Sequence, residues 1–298
     1  MDFKGKSFES KVDLERDQEI FKERPVVILL PGLVNTSDYV QIRGFAKAIY
    51  QRDCDVVVIN SRGLAGCPLT TPHLYSWNNT QDIREPVQEI YKKYVEPFGR
   101  KFLAIGCSLG AHRLACLLGE DGENSLFDAA CCVQCPMKVW VATSNAKITA
   151  GGFYDRALAG PVADLYLLHE PVLRDRFQEE FGIDIKETIK AMDPLTLNEL
   201  DDKLASVSFG YKDAKEYHYK CACVHLIPNI KTTTLFMSSL DDPLVGEETI
   251  DFDVVRDNEN CILATNKHGG HMGYYENAFS SQQWCYKPAL DFLKILII

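Results

Sequence analysis

Three residue types that can share one proton lie far apart in this chain, in the order serine, aspartate, histidine. Ser108 is the middle residue of Gly106-Cys107-Ser108-Leu109-Gly110, a G-x-S-x-G pattern. A serine hydroxyl is a weak nucleophile near neutral pH and needs a base held against it. Among seven histidines, His271 is the best candidate, because Lys267-His268-Gly269-Gly270-His271-Met272-Gly273 has the glycines that let a backbone turn tightly. His268 shares that stretch and is the alternative base. His112 follows the serine on the next helix and is expected to face away, and His73, His169, His218 and His225 have no comparable setting. An acid must fix the tautomer of the base and stabilise its charged form. Asp242 is preferred, because an Asp-Pro step just after a strand places a carboxylate at the sheet edge, and Asp241 is the runner-up. The chemistry of such a set is attack on an acyl carbon. Its oxyanion needs preorganised N–H donors, for which the backbone amides of Leu109 and of Leu33, in Pro31-Gly32-Leu33-Val34-Asn35, are the candidates. An ordinary turn is the plain alternative for the second.

A nucleophile of this kind stands on a tight turn between a strand and a helix, flanked by small residues. The local pattern supplies both elements: 101–105 reads as a strand and 111–118 as a helix. That frame makes Ser108 the exposed apex and Cys107 a buried neighbour. Further strands are expected over 26–30, 55–60, 129–134, 233–238 and 261–265, and helices over 38–51, 80–94 and 284–298. Pro86 is the weak point of the 80–94 helix, in its first turn or at a kink. Apolar strands alternating with amphipathic stretches predict an α/β fold with a mostly parallel sheet and helices on both faces. Residues 1–298 read as one domain. The mainly helical stretch from about 151 to 221 exceeds a simple crossover, which needs only a dozen or so residues. It is expected to be a helical cap or lid inserted over the sheet, a long packed crossover being the alternative.

Composition narrows the class. Hydrophobic residues make up 46% and charged residues 25%, ordinary values for a globular chain. A net charge of −10 gives no drive toward nucleic acid or anionic lipid. No run approaches the ~20 apolar residues that span a bilayer, and the charged N-terminal stretch lacks the apolar centre of a signal peptide. The chain therefore reads as cytoplasmic, with peripheral contact at a lipid surface left open. Without a signal peptide, the eleven cysteines read as reduced, mostly buried thiols. Cys221 and Cys223 form a C-x-C with no second half-site, so neither a metal nor an organic cofactor is expected.

Longer motifs carry a family resemblance. PGLVNTSDYVQIRGFA, INSRGLAGCPLTTPHLYSWNNTQDI, KETIKAMD, FGYKDAKEYHYKCA, LDDPLV and HGGHMGY occur in this order. Over about Pro25 to the C-terminus the chain resembles the YheT-like branch of α/β-hydrolase-domain esterases and lipases. That branch includes bacterial YheT-type hydrolases, membrane-anchored animal phospholipases and acylglycerol lipases, and yeast medium-chain alcohol acyltransferases. The resemblance implies the α/β-hydrolase fold, with Ser108 as nucleophile, Asp242 as acid and His271 as base. It implies cleavage of carboxylic esters, often with medium or long acyl chains, or acyl transfer to an alcohol through the same acyl-enzyme. A non-catalytic lipid- or partner-binding homologue is the third reading, but its usual signature is loss of a triad residue. Many relatives have a second glycine where Ala111 stands and an aromatic residue at Cys107, so the acyl pocket is expected to differ. Animal members commonly carry an N-terminal membrane anchor, for which this chain shows no segment. Phe153, Tyr154, Leu158, Leu165, Leu167 and Leu168 are apolar enough to line a lipid-accepting groove or simply to pack the cap onto the sheet.

Overall fold

The computed structural model describes residues 24–275 and 283–295. The charged N-terminal stretch and the end of the expected closing helix, 296–298, lie outside the described residues. Strand β1 (Val26–Leu30) is VVILL, with every residue buried. A strand apolar on both sides needs cover on both faces, which is the setting of a parallel sheet between two helical layers. β1 joins β2 (Asp55–Val58), β3 (Phe102–Cys107), β4 (Ala129–Val133), β5 (Thr233–Ser239) and β6 (Cys261–Asn266). All pair in parallel, in the order β2-β1-β3-β4-β5-β6.

The side-chain period of two splits the core into two layers. Val26, Ile28, Phe102, Ala104 and Phe236 pack against helix α2 (Gln81–Ile90) and helix α3 (Leu109–Asp121). Val27, Leu29, Leu103, Ile105 and Met237 pack against helix α1 (Val40–Tyr50) and the closing helix Tyr286–Ile295. Pro86 lies in the interior of α2, beyond its first turn, and α2 gives way after Ile90 to a wider turn over Tyr91–Val95. The face expected to be buried, Ile83, Val87 and Ile90, is buried.

Between β4 and β5 the chain is largely helical. Helix α4 (Val139–Ile148) leads into helix α5 (Phe153–Phe181) through a turn in which Ala150, Gly151 and Gly152 are all left-handed. The helical stretch read from the sequence begins at about 151, within that turn, and so leaves out α4. Shorter helices follow at Ile185–Lys190, Leu197–Leu200 and Ala214–Lys220. α5 and its successors have an apolar cluster of their own, in which Ala159, Tyr166, Leu173, Phe177 and Leu200 meet Leu64, Leu69 and Leu74 from the long connection after β2. No helix among the described residues is long and apolar enough to cross a membrane.

The order β2-β1-β3 means that the chain leaves β1 toward one edge and later returns past it to β3. Loops that diverge from the C-terminal ends of neighbouring strands leave a crevice there, and Leu30 of β1 is in register with Gly106 of β3. Helix α3 starts beside this crevice and presses at its far end against the turn before β5. A Cβ on Gly119 would collide with the Leu226 carbonyl oxygen and come within 2.7 Å of the Leu226 Cβ. Replacing Gly119 by Ala should therefore destabilise the protein by about 1–3 kcal/mol by overpacking, despite the better helix propensity of alanine. The effect is read as a drop of several degrees in the thermal midpoint; an unchanged or raised midpoint would show that the Leu226 turn gives way freely.

Candidate active site

β3 runs directly into Ser108, which takes φ 53° and ψ −120° before α3 begins at Leu109. A side chain at positive φ costs free energy that the surroundings must hold. The Ser108 amide donates to the Val133 carbonyl at 2.9 Å, and the Ser108 carbonyl accepts from the His112 amide at 3.0 Å. The glycines two positions to either side cannot carry side chains. A Cβ on Gly106 would meet the Gly110 carbonyl oxygen at 2.5 Å and the Ala111 Cα at 2.6 Å. A Cβ on Gly110 would strike the Leu30 carbonyl oxygen and come within 2.5 Å of that of Pro31. The turn thus lifts the Ser108 hydroxyl above the sheet, while Cys107 points down among the apolar residues beneath α1, where burial pushes its thiol well above the usual range.

Ser108 Oγ lies 2.9 Å from His271 Nε2, and His271 Nδ1 lies 2.8 Å from Asp242 Oδ2. β5 and β6 are neighbours, with Ser239 opposite Asn266, so the segments that follow them deliver the carboxylate and the imidazole side by side. The Asp242 side chain is fully buried. Its Oδ1 accepts from the amides of Leu244 and Val245, both at 2.8 Å, and its Oδ2 also accepts from the side chain of Gln134. Burial alone would raise the Asp242 carboxyl. The hydrogen bond and charge of His271, with the two amides, outweigh burial and leave the group below its ordinary value.

The alternatives read from the sequence have other partners. Asp241 Oδ1 accepts from the amides of Gly269 at 2.9 Å and Gly270 at 2.8 Å, and from Ser239 Oγ at 2.5 Å. Asp241 therefore clamps the glycine loop that carries His271. Exposed His268 faces Asp241 Oδ2 at 3.3 Å and lies away from the Ser108 hydroxyl relay. His112 is buried, with Nδ1 at 3.0 Å from the Pro136 carbonyl and Nε2 at 2.9 Å from that of Cys221.

The hydroxyl opens into a mainly apolar cavity of about 200 Å³. Leu33, Trp77, Leu109, Ala142, Leu158, Leu197 and Val245 line it together with Ser108 and His271. Both amides expected to hold an oxyanion, Leu33 and Leu109, thus belong to residues on its wall; among the described residues neither amide has an acceptor. The loop after β1 is braced from outside: Tyr75 Oη accepts from the Val34 amide at 3.2 Å, and Asn60 Oδ1 accepts from the Ser37 amide at 2.8 Å. Arg62 and Asp82, from the same sequence motif as Asn60, are ion-paired, and buried Arg113 donates to Ser61 Oγ at 2.8 Å and the Asn79 carbonyl at 2.9 Å. Of the six apolar residues singled out between 153 and 168, Leu158 lines this cavity and Leu165 an adjoining one, whereas Phe153, Leu167 and Leu168 are exposed. Sequence reasoning passed over Tyr75 and Gln134. The only sign of Gln134 was one polar letter inside the apolar run Ala-Ala-Cys-Cys-Val-Gln-Cys-Pro-Met. Together the groups provide a hydroxyl, a base, a buried acid and candidate amide donors around a space for an apolar chain, which suits acyl transfer.

Comparison with known proteins bears on this arrangement. The profile of the family described as alpha/beta hydrolase fold matches residues 25–278. The chain is 30% identical over 275 residues to a monoacylglycerol lipase of Saccharomyces cerevisiae, covering 91% of this chain and 59% of the relative. It is 28% identical over 298 residues to the medium-chain fatty acid ethyl ester synthase/esterase 2 of the same yeast, covering 94% and 64%. The chain spans about three fifths of the length of the first of these curated relatives. Among solved structures it resembles the esterase Pf2001 of Pyrococcus furiosus, with a TM-score of 0.57 and 13% identity over 92% of this chain and 84% of that one, which shows the fold.

The loop clamp yields a prediction that is independent of any reaction. The Asp241 carboxyl is held down at about 2, first by the Ser239 hydroxyl and then by the two glycine amides and His268. A carboxyl depressed in the folded state contributes stability above its unfolded value, near 4, and loses it as pH falls toward 2. Asp241→Asn should accelerate amide hydrogen exchange at Gly269 and Gly270 at least tenfold at neutral pH while leaving the exchange of β3 unchanged. In the unsubstituted protein the same two amides should lose protection between about pH 4 and pH 2. Equal exchange in both proteins would remove Asp241 from this role.

Proposed function

The chain is a member of the α/β-hydrolase family, and we propose that it is a serine carboxylic-ester hydrolase acting through an acyl-enzyme on Ser108. The observation that carries this reading is the unbroken relay from Ser108 Oγ through the His271 ring to buried Asp242, at the wall of an apolar cavity. Ser108 Oγ attacks the ester carbonyl carbon as His271 Nε2 takes its proton. Asp242 holds the ring by Nδ1 and stabilises its positive charge. The amides of Leu33 and Leu109 donate to the oxyanion. As the tetrahedral intermediate collapses, the alcohol leaves with the proton from His271. A water activated by the same nitrogen then attacks the acyl carbon and releases the acid.

Esters of medium to long acyl chains are the substrates we favour. The cavity beside Ser108 shares Leu33, Trp77, Leu109 and Leu197 with a second, smaller cavity that runs on to Val162, Leu165 and Tyr166. The two form one apolar path under α4, α5 and the helix at 197–200, and these helices act as the cap. Names among the relatives, a lipase and an ethyl ester synthase/esterase, agree with lipid esters as substrates. The second name also favours a second reading, in which an alcohol replaces water at the acyl-enzyme and the product is a new ester.

Ser108→Ala should reduce ester hydrolysis at least 10³-fold and abolish labelling by a fluorophosphonate, with the thermal midpoint retained; near-normal turnover in that variant would overturn the assignment, and failure of the unsubstituted protein to label would favour a non-catalytic homologue. Asp242→Asn should cost about 10³–10⁴-fold in kcat, because the imidazole loses its orienting acceptor. The rate constant kcat/KM should rise from acetyl to octanoyl esters, and Leu165→Trp, by filling the second cavity, should flatten that rise without lowering the acetyl rate. A flat series in the unsubstituted protein would dismiss the acyl path. Ester formation on adding ethanol to the octanoyl substrate separates transfer from hydrolysis: absence of the ethyl ester at high alcohol removes the second reading.

A further inference from the structure

Sheet order places four strand ends in a row, and the proposed reaction uses only three of them. Ser108 follows β3, Asp242 follows β5 and His271 follows β6; Gln134 follows β4, between the first two. Cys107, Val133 and Met237 are in register across β3, β4 and β5, so Gln134 leaves the sheet level with Ser108. It is fully buried, and its φ of 51° is one that residues bearing a Cβ rarely adopt. Its amide donates to the Met237 carbonyl at 2.8 Å, so the turned backbone is tied to β5.

Every bonding position of the carboxamide is taken. Nε2 donates to Asp242 Oδ2, the oxygen that faces His271 Nδ1, and to the carbonyl of Gly270, the residue before His271, at 3.1 Å. Oε1 accepts from the Ser239 amide at 2.6 Å and from Tyr274 Oη at 2.7 Å. A carboxamide has two N–H donors and one oxygen with two lone pairs, and the four partners fix which end is which. They come from the end of β5, the segment after it and both sides of the histidine loop. A polar side chain that merely filled the turn would need satisfaction from its own neighbours; this one reaches only the acid and the segments that hold acid and base. Gln134 is absent from the cavity wall, so it does not touch substrate.

We propose that Gln134 is the positioning residue of the acid–base half of the relay, setting the separation of Asp242 and the His271 loop so that the Nδ1–Oδ2 hydrogen bond stays short while the ring faces Ser108. The inference rests on the hydrolase reading for its kinetic consequence but not for its structural one. Without the carboxamide, Asp242 keeps its two backbone amides and the histidine loop keeps Asp241, so the fold has other supports. What is lost is the bridge between them.

The test compares the unsubstituted protein with Gln134→Met, which keeps the length and removes the hydrogen bonds, and with Tyr274→Phe, which removes one donor to Oε1. The readouts are kcat and KM on a soluble butyryl ester, and the low-field proton resonance of a hydrogen-bonded His271 Nδ1–H, assigned by its absence in His271→Ala and its retention in Ser108→Ala. Gln134→Met should lose at least tenfold in kcat with KM within twofold, and its low-field resonance should shift upfield or broaden away. Tyr274→Phe should show the same pattern at about threefold. A folded Gln134→Met with kcat within twofold, or with the resonance unmoved, overturns the proposal. If Gln134→Met does not fold, an unchanged kcat and resonance in Tyr274→Phe overturn it. If the unsubstituted protein hydrolyses no ester, the hydrolase reading is what fails, and the resonance still decides for or against Gln134.

Discussion

The close approach of helix α3 to the ends of β1 and β3 is the constraint on which the rest of the site depends. Backbone packs on backbone there, with no room for a Cβ at Gly106 or Gly110. Because the helix starts so near the sheet, the residue between strand and helix must turn sharply, and Ser108 takes a positive φ. The same closeness sets the Leu109 amide, at the open first turn of α3, beside the loop after β1 that carries Leu33. The candidate nucleophile and the candidate oxyanion donors are thus consequences of one packing event. The strain at Ser108 is spread over many contacts, including Val133 behind it and His112 ahead of it.

Strand identity was legible because a parallel sheet buries both faces, so VVILL and the apolar runs of β3 and β4 leave a continuous signal. The positions of Ser108, Asp242 and His271 at strand ends followed from those runs together with turn residues. Element ends were less legible. α2 was read through to 94, yet it changes character after Ile90, because the buried face persists in sequence while the backbone widens. α4 was not read from the sequence, where the helical stretch was begun only at about 151: the residues it buries, Val139, Ala142, Thr143 and Ala146, are mostly small or polar and leave a weak apolar signal.

Residues that act through a neighbour were the least legible. Asp241 and Asp242 are adjacent carboxylates of similar local sequence, and only the placement of two loops separates a clamp on backbone amides from a hydrogen bond to an imidazole. Gln134 has no local partner, since its four bonds reach residues from 239 to 274. Tyr75 likewise supports Val34 across 41 positions. Period and spacing report on what a residue does to its own element; they are silent on side-chain bonds between segments distant in sequence.

The apolar cluster that joins α5 and its successors to the connection after β2 is distinct from the two clusters that flank the sheet. The ceiling of the cavity and its floor therefore have separate foundations. Substitutions can enlarge, narrow or reroute the ceiling while the strand ends beneath keep their spacing, so under the proposed function selectivity and reactivity would be able to drift at different rates. In a lineage built on this plan, diversity of accepted molecules should accumulate in the upper helices, and invariance in the short turns of the sheet.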